Sequence, residues 1–233
     1  MLEILRALAE LPPGLWQALW LTLRLALVTT ALLLTVGIPL AHWLNTTRLP
    51  GVAVLEALVA LPIVLPPTVI GFYLLMLFAP QSPLGRSWVA IFGHALPFSF
   101  PGLVVGSVLY SLPFAVQPFQ AAFKAVPQTY VEAIAALGAR AHQTLWHVRL
   151  PMARRGLLVG ATLAFAHTLG EFGVVLMLGG SIPGETKVAS IALYDEVQKL
   201  DFAVAHAYAL VLLVLSFALL LLVTVLQRRK EPR

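Results

Sequence analysis

Cysteine is missing from all 233 residues of this chain. Disulfide scaffolds and thiolate metal sites are thereby excluded, and redox chemistry says nothing about compartment. Charge is scarce as well: Asp, Glu, Lys and Arg make up 11% of the residues against 60% hydrophobic ones, with a mean hydropathy of +0.91. A soluble domain of this length needs a polar exterior that such a composition cannot supply, so lipid is the expected solvent. His42, His94, His142, His147, His167 and His206 show no HExxH or other metal-ligand spacing. Neither a P-loop nor a nucleophile elbow is present, so any ATP chemistry has to come from another subunit. The opening stretch MLEILRALAELPP carries Glu3 and Glu10 and lacks a cationic start and a small-residue cleavage site, so no signal peptide is read there. Met1, Leu5 and Leu8 share one helical face before Pro12 and Pro13, which predicts an interfacial segment over 1–14.

What remains is long apolar stretches. About 20 residues are needed to span a bilayer, and five segments qualify: 15–43, 52–78, 101–123, 156–179 and 203–226. The stretch 87–100 is apolar but short and is interrupted at Pro97, which suits an interfacial or re-entrant piece. Five spans place 44–51, 124–155 and the tail 227–233 on one side. That side holds Arg48, Lys124, Arg140, Arg149, Arg154, Arg155, Arg228, Arg229, Lys230 and Arg233. The other side holds only Arg6, Arg86, Lys187 and Lys199, while Arg24 lies within the first span. The positive-inside rule makes the richer side cytoplasmic, with the N-terminus outside and a basic tail inside. Because the cations sit at the ends of apolar runs, the net charge of +5 reads as membrane topology and not as a nucleic-acid surface. The fold class is an all-α membrane protein.

A polar insert, EAIAALGARAHQTLWHVRLP (132–151), stands on the cytoplasmic side. Thr129 and Glu132 have the spacing of a capping box. Val131, Ile134 and Leu137 then form an apolar stripe, and Gly138 supplies a stop that tolerates positive φ. Pro151 suits the first turn of the following span, where its missing N–H costs nothing. Two readings stand at this point: a connecting loop that Glu132 merely caps, or an elbow that docks a partner. A helix this short is marginal alone in water, so a persistent one needs a surface to pack on.

The insert resembles the EAA signature of binding-protein-dependent ABC importer permeases, in which EAA is followed by three residues, Gly, nine residues, and I-x-LP. Glu132, Ala133, Gly138, Leu150 and Pro151 match in register, with Ile134 in place of the second Ala and Val148 in place of Ile. The pieces LPIVLPPTVIG (61–71), LAFAHTLGEFG (163–173), IPGET and ALYDEVQ (182–198) are similar to the oxyanion branch of that family. Within it they are most similar to molybdate permeases, with sulfate/thiosulfate and tungstate permeases as close relatives. Two departures stand out: His167 occupies a position where molybdate permeases often carry Arg, and basic residues are missing near Gln117 and Gln120. The resemblance covers about residues 15–225. It implies the type I importer permease fold, with 127–151 as coupling region and two copies forming the membrane pathway. It also implies a cytoplasmic ATPase dimer that binds ATP and Mg on the elbows, an extracytoplasmic oxyanion-binding protein, and no cofactor in this chain.

Ionisable groups at membrane depth default to function. Glu171 sits in the fourth span between Gly170 and Gly173, with His167 one helical turn earlier on the same face. The pair either lines a pathway or gate, or holds a neighbouring helix; a carboxylate repels a dianion, so Glu171 is not expected to bind cargo directly. Pro62, Pro66 and Pro67 interrupt the second span, and backbone freed in this way belongs against protein or a water-filled cavity. Pro66, Pro67, Thr68 and Gly71 are therefore pathway candidates, and Ser107 and Ser111 offer a second polar stripe. Arg24 and Glu56 are read as snorkelling or paired. The loop 179–200 repeats Val188, Ile191, Tyr194 and Val197 at helical spacing, which suits a helix on the membrane surface or a face that receives the binding protein. The competing classes are an intramembrane enzyme using Glu171 and His167, and a channel that conducts without ATP.

Overall fold

The computed structural model describes Pro12 and residues 14–228. The segment expected over 1–14 and the basic tail expected over 227–233 lie almost wholly outside the described residues. Regular structure among the described residues is entirely helical: α1 (Leu15–Thr46), α2 (Val52–Val64), α3 (Pro67–Leu77), α4 (Pro83–Phe92), α5 (Phe100–Lys124), α6 (Gln128–Ala136), α7 (Ala141–Thr144), a π-turn (Leu145–Arg149), α8 (Leu150–Leu169), α9 (Gly173–Gly179), α10 (Ala189–Gln198) and α11 (Phe202–Arg228). Three stretches, in α1, α5 and α11, are long and apolar enough to cross a membrane. The number reaches five if α2 with α3, and Ala141–Leu169 with α9, each count as one bent span.

Prolines decide where these helices break. Pro62 was expected to interrupt the second span, yet α2 runs through it to Val64. One proline removes a single N–H from the ladder, whereas Pro66 and Pro67 together remove two and hold the chain extended ahead of them. Pro66 sits at φ −55°, ψ 136° and caps α3, with Pro67 in its first turn. Helix α4 covers only the first part of the short apolar stretch 87–100: it opens earlier, on Ser82, whose hydroxyl accepts from the Gly85 N–H at 2.9 Å, and closes on Gly93.

The described residues form two compact units. The first takes the chain up to Thr29, Leu65–Tyr110, and everything from Phe165 onward. Its core joins Leu21 and Leu25 of α1, Leu103 and Val104 of α5, Val175 of α9, and Ile191 of α10. A second cluster seats Ala189 and Ala192 of α10 against Leu15 and Leu19 of α1 and Tyr208 of α11. Of the expected α10 stripe, Val188 and Ile191 are buried in this core, whereas Tyr194 and Val197 are exposed. Arg24 forms no ion pair among the described residues; its guanidinium carbon lies 4.3 Å above the Phe100 ring, a cation–π contact. Outside this core, Trp16, Trp20, Leu213 and Phe217 stay exposed, as side chains facing acyl chains do.

The second unit takes Thr30–Val64 and Ser111–Ala164. Its centre is Phe119, wholly buried beside Val116. Small residues let backbones close on that ring: a Cβ built on Gly160 would lie 2.6 Å from Phe119 Cε1. A polar clamp crosses the same helices. Gln120 Nε2 donates to Glu56 Oε1 at 2.9 Å, and Asn45 Nδ2 donates to the Gln120 carbonyl at 2.9 Å. Glu56 is therefore paired, which satisfies a carboxylate at the start of an apolar helix. Gly160→Ala overpacks a ring that has no room to retreat, at a cost of about 1–3 kcal/mol. A lower thermal midpoint in detergent is expected, and an unchanged midpoint would contradict this packing.

Candidate functional site: an elbow helix and a polar cavity

The elbow is built from α6, α7 and the π-turn. The expected capping box at Thr129 and Glu132 does not form, because Pro127 is the N-cap, at φ −60°, ψ 129°, and no side chain caps the helix. The extended proline starts the first turn before Thr129, which leaves that residue inside the helix, and Glu132 stays exposed with no partner among the described residues. The other end is as read. Gly138 adopts φ 81°, its N–H donates to the Ala135 carbonyl at 3.0 Å, and the Ala139 N–H donates to the Ile134 carbonyl at 3.2 Å. This bond pair is a Schellman stop, which needs a left-handed residue after the helix.

The reciprocal cap that the sequence reading placed at Thr129 has a counterpart further on. Gln143 Oε1 accepts from the Arg140 N–H at 2.7 Å and ties down the start of α7. Arginine is not an N-cap residue type, so composition gave no signal for it. The chain then widens into a π-turn, with the Leu150 N–H donating to the Leu145 carbonyl. Pro151 follows at once, and the wider turn relieves the clash its ring would make with the carbonyl four residues back. Val148 is buried and anchors the elbow, while Leu150 is half-buried and Pro151 exposed. Ala133 is exposed, Ile134 half-buried, and Leu137 is 86% exposed. A surface cavity of about 370 Å³ opens among Ile134, Leu137, Gly138, Ala139, Gln143 and His147. Tyr130 and Trp146 are exposed as well, so the elbow offers apolar side chains on a stiff backbone.

The second site lies in the first unit. Helix α8 ends at Leu169, α9 begins at Gly173, and Glu171 stands in the break. Hence Glu171 and His167 do not share a helical face: the ladder stops at Gly170, whose N–H bonds to the Ala166 carbonyl at 3.3 Å. They meet instead around a cavity of about 530 Å³ that Pro67, Thr68, Tyr110, Gly170, Phe172 and Gly173 also line. The His167 and Tyr110 rings lie 4.8 Å apart. The break is pinned from α10, where Ser190 Oγ donates to the Glu171 carbonyl at 2.6 Å. Glu171 is 4% exposed. Ser107 of α5 is wholly buried too, and neither its hydroxyl nor the two Glu171 carboxyl oxygens have a hydrogen-bond partner among the described residues.

The other pathway candidates divide. Pro66 caps α3 beside the cavity lining. Gly71 is buried against α9, where an added Cβ would lie 2.7 Å from Met177 Cβ, so it serves packing. Gly173 allows the matching approach to Pro67, whereas Gly170 has no such neighbour and faces the cavity. Ser107 and Ser111 are fully buried in α5, and Ser111 belongs to the second unit.

Helix α10 and the residues on either side of it carry a charge cluster. Lys187 pairs with Asp195 at 2.7 Å, Ser181 Oγ donates to Asp195 at 2.7 Å, and Lys199 pairs with Glu196 at 2.7 Å. Partial burial pushes the Asp195 carboxyl up, but hydrogen bonds from Lys187 and Ser181 and the charges of Lys187 and Lys199 outweigh it and hold it below the usual carboxylate range. The cluster borders a cavity of about 400 Å³ that Gln17, Pro183, Gly184 and Tyr208 help to line.

The chain belongs to the family described as binding-protein-dependent transport system inner membrane component, which it matches over residues 33–232. It is 48% identical over 203 residues to the molybdenum transport system permease protein ModB of Azotobacter vinelandii, covering 87% of this chain and 90% of that one. It is 34% identical over 217 residues to the sulfate transport system permease protein CysT of Escherichia coli K12, covering 93% and 78%. Among solved structures, an inward-facing form of the MetNI methionine ABC transporter matches with a TM-score of 0.70 over 94% of this chain and 97% of that one, at 19% identity. The fold is that of type I ABC importer permeases, multi-pass proteins of the inner membrane that are not themselves enzymes and work with a binding protein and a separate ATPase.

Two outcomes follow from the geometry. Gly138→Ala keeps open space around the new Cβ, so its cost is the left-handed backbone alone, roughly 1–2 kcal/mol. Amide exchange across α6 should speed up by about tenfold, and unchanged exchange would contradict the stop. For Asp195, a depressed folded value means its stabilisation is complete above the unfolded carboxyl value of about 3.9 and is lost as pH falls through the folded one. The gap in thermal midpoint between wild type and Asp195→Asn should be present at neutral pH and close in acid. A gap that widens in acid would contradict the pairing.

Proposed function

We propose that this chain is the membrane pathway of an ATP-driven importer of molybdate. Its 48% identity across nearly the whole of a molybdenum transport permease carries the reading. Two copies surround the route, and two ATPase subunits seat on the elbows through Glu132, Ala133, Ile134, Gly138, Val148, Leu150 and Pro151. The ATPase binds ATP and Mg, and an extracytoplasmic binding protein hands the oxyanion to the outer face. With ten cations on one side of five spans and four on the other, the elbow and C-terminus are cytoplasmic and the N-terminus is outside. Exposed Tyr130, Leu137 and Trp146 give the elbow anchors of the kind that fill a groove on a partner. The rigid stop at Gly138 lets a push on α6 reach the spans without the loop absorbing it.

Pro66, Pro67, Thr68, His167, Gly170 and Glu171 form the pathway or gate, around the cavity at the helix breaks. The proposed pathway also takes in Gly71, Ser107 and Ser111, of which Gly71 packs against α9. The second reading, sulfate import by the same machine, is favoured by the 34% identity to a sulfate permease over 93% of the chain. Purified permease reconstituted with its ATPase and binding protein should take up labelled molybdate with ATP and not without it. Uptake that excess sulfate abolishes would favour the second reading. Ion conductance in the absence of ATP would overturn both.

A further inference from the structure

The second unit is rich in cations and poor in acids. Arg48, Lys124, Arg140, Arg149, Arg154 and Arg155 fall within it, against Glu56 and Glu132 alone. Gln120 engages Glu56, and no ion pair forms in this unit among the described residues. Two of the cations share one space. Lys124, the last residue of α5, and Arg149, the last of the π-turn, line a cavity of about 360 Å³ together with Asn45, Phe123, Gln128 and Val131. Lys124 is exposed and Arg149 half-buried, and neither side chain has an ion-pair partner among the described residues. Like charges that face one space repel unless a counter-ion enters it, and this unit has none to spare. The cavity has the size of a small-ligand site. Beside the cations its wall is apolar, with Phe123 buried and Val131 half-buried. Its level in the membrane is marked twice: the apolar run of α5 stops at Lys124, and exposed Trp43 stands two residues before Asn45 near the end of α1. Tryptophan at the end of a spanning helix sits at headgroup level.

We propose that this cavity binds the headgroup of an anionic phospholipid of the cytoplasmic leaflet, whose phosphodiester oxygens accept from Lys124 Nζ and the Arg149 guanidinium. The proposal takes the cytoplasmic placement of the elbow from the reading above and adds a site that the reading does not use. Basic pockets beside spanning helices on the cytoplasmic side select such lipids, and a guanidinium can hold two phosphate oxygens at once. A free oxyanion offers the cations the same oxygens, but only a lipid also sets glycerol and acyl carbons against Phe123 and Val131. Gln128 opens the elbow and Arg149 closes it, while Asn45 and Lys124 end two spanning helices, and all four border the cavity. One headgroup therefore joins both ends of the elbow to the membrane surface.

The test is lipid binding to the complete transporter, permease with its ATPase, read by native mass spectrometry in a neutral detergent. Phosphatidylglycerol and phosphatidylethanolamine are titrated into wild type, Lys124→Gln/Arg149→Gln and a charge-matched control, Arg48→Gln/Arg155→Gln, whose cations do not line the cavity. Wild type and the control should bind phosphatidylglycerol about thirtyfold more tightly than phosphatidylethanolamine, and the cavity variant no more than about threefold. An equal preference in wild type and the cavity variant would overturn the proposal. If excess inorganic phosphate or molybdate displaces phosphatidylglycerol from wild type, the site takes a free oxyanion and the lipid is ruled out. A wild type without preference, whose cavity variant sheds its ATPase, would assign the cations to an acidic surface of that subunit and also rule out the lipid. If the cavity variant does not assemble, photo-activatable phosphatidylglycerol on wild type decides. Adducts at residues 123–131 or in the π-turn support the site, and adducts confined to other segments overturn it. Because binding is read without transport, wild type that holds the lipid here and imports no oxyanion would sink the permease reading and leave this site standing.

Discussion

Lipid offers a polypeptide backbone no hydrogen-bond partner, so each interruption of a helix at membrane depth must be covered by the protein itself. The first unit meets this constraint by bringing two interruptions together. The break at residues 65–66 precedes α3, the break at 170–172 precedes α9, and the two short helices pack so closely that Gly173 faces Pro67 and Gly71 faces Met177 with no space for a side chain. Ser190 supplies a donor to the Glu171 carbonyl where the ladder has stopped. A cavity opens beside the two breaks, lined by Thr68, Tyr110, His167 and Glu171 among others. The location of the site follows from where the backbone could not be finished.

The elbow meets a different requirement, stiffness in water. Nine helical residues do not hold together alone, and α6 lacks a side-chain cap. Its order comes from the Schellman stop at Gly138 and from the tie between Gln143 and Arg140. Val148 is buried beneath it, and in the chain α8 follows directly, a single helix from Leu150 to the break beside Glu171. Exposed Leu137 is costly for an isolated chain and useful for one that is gripped there.

Much of this was legible in the sequence for particular reasons. Apolar length matches the long helices α1, α5 and α11, whereas the expected spans 52–78 and 156–179 each break into two helices, bent by 114° and 59°. The stop at Gly138 was legible because positive φ after a helix selects glycine. The start at Thr129 was misplaced because Pro127 sets its own φ and overrides a capping pattern that is only a preference. Pro62 looked like a breaker because one proline and two in a row read alike in a pattern, although they remove different numbers of donors. Helical spacing puts His167 and Glu171 on one face, but the helix breaks before Glu171, and what the two residues share is the lining of one cavity. The bond from Gln120 to Glu56 spans 64 residues of sequence, and no local pattern carries such a contact.

That a motor subunit moves this protein through the elbow requires the elbow to face the cytosol. The chain has no cysteine, so one introduced at Arg140, in the exposed turn between α6 and α7, is a unique label site. A membrane-impermeant maleimide should label it in inverted vesicles and leave it untouched in spheroplasts with an intact inner membrane. Labelling in the spheroplasts would place the elbow outside, beyond the reach of any ATPase, and would contradict the account.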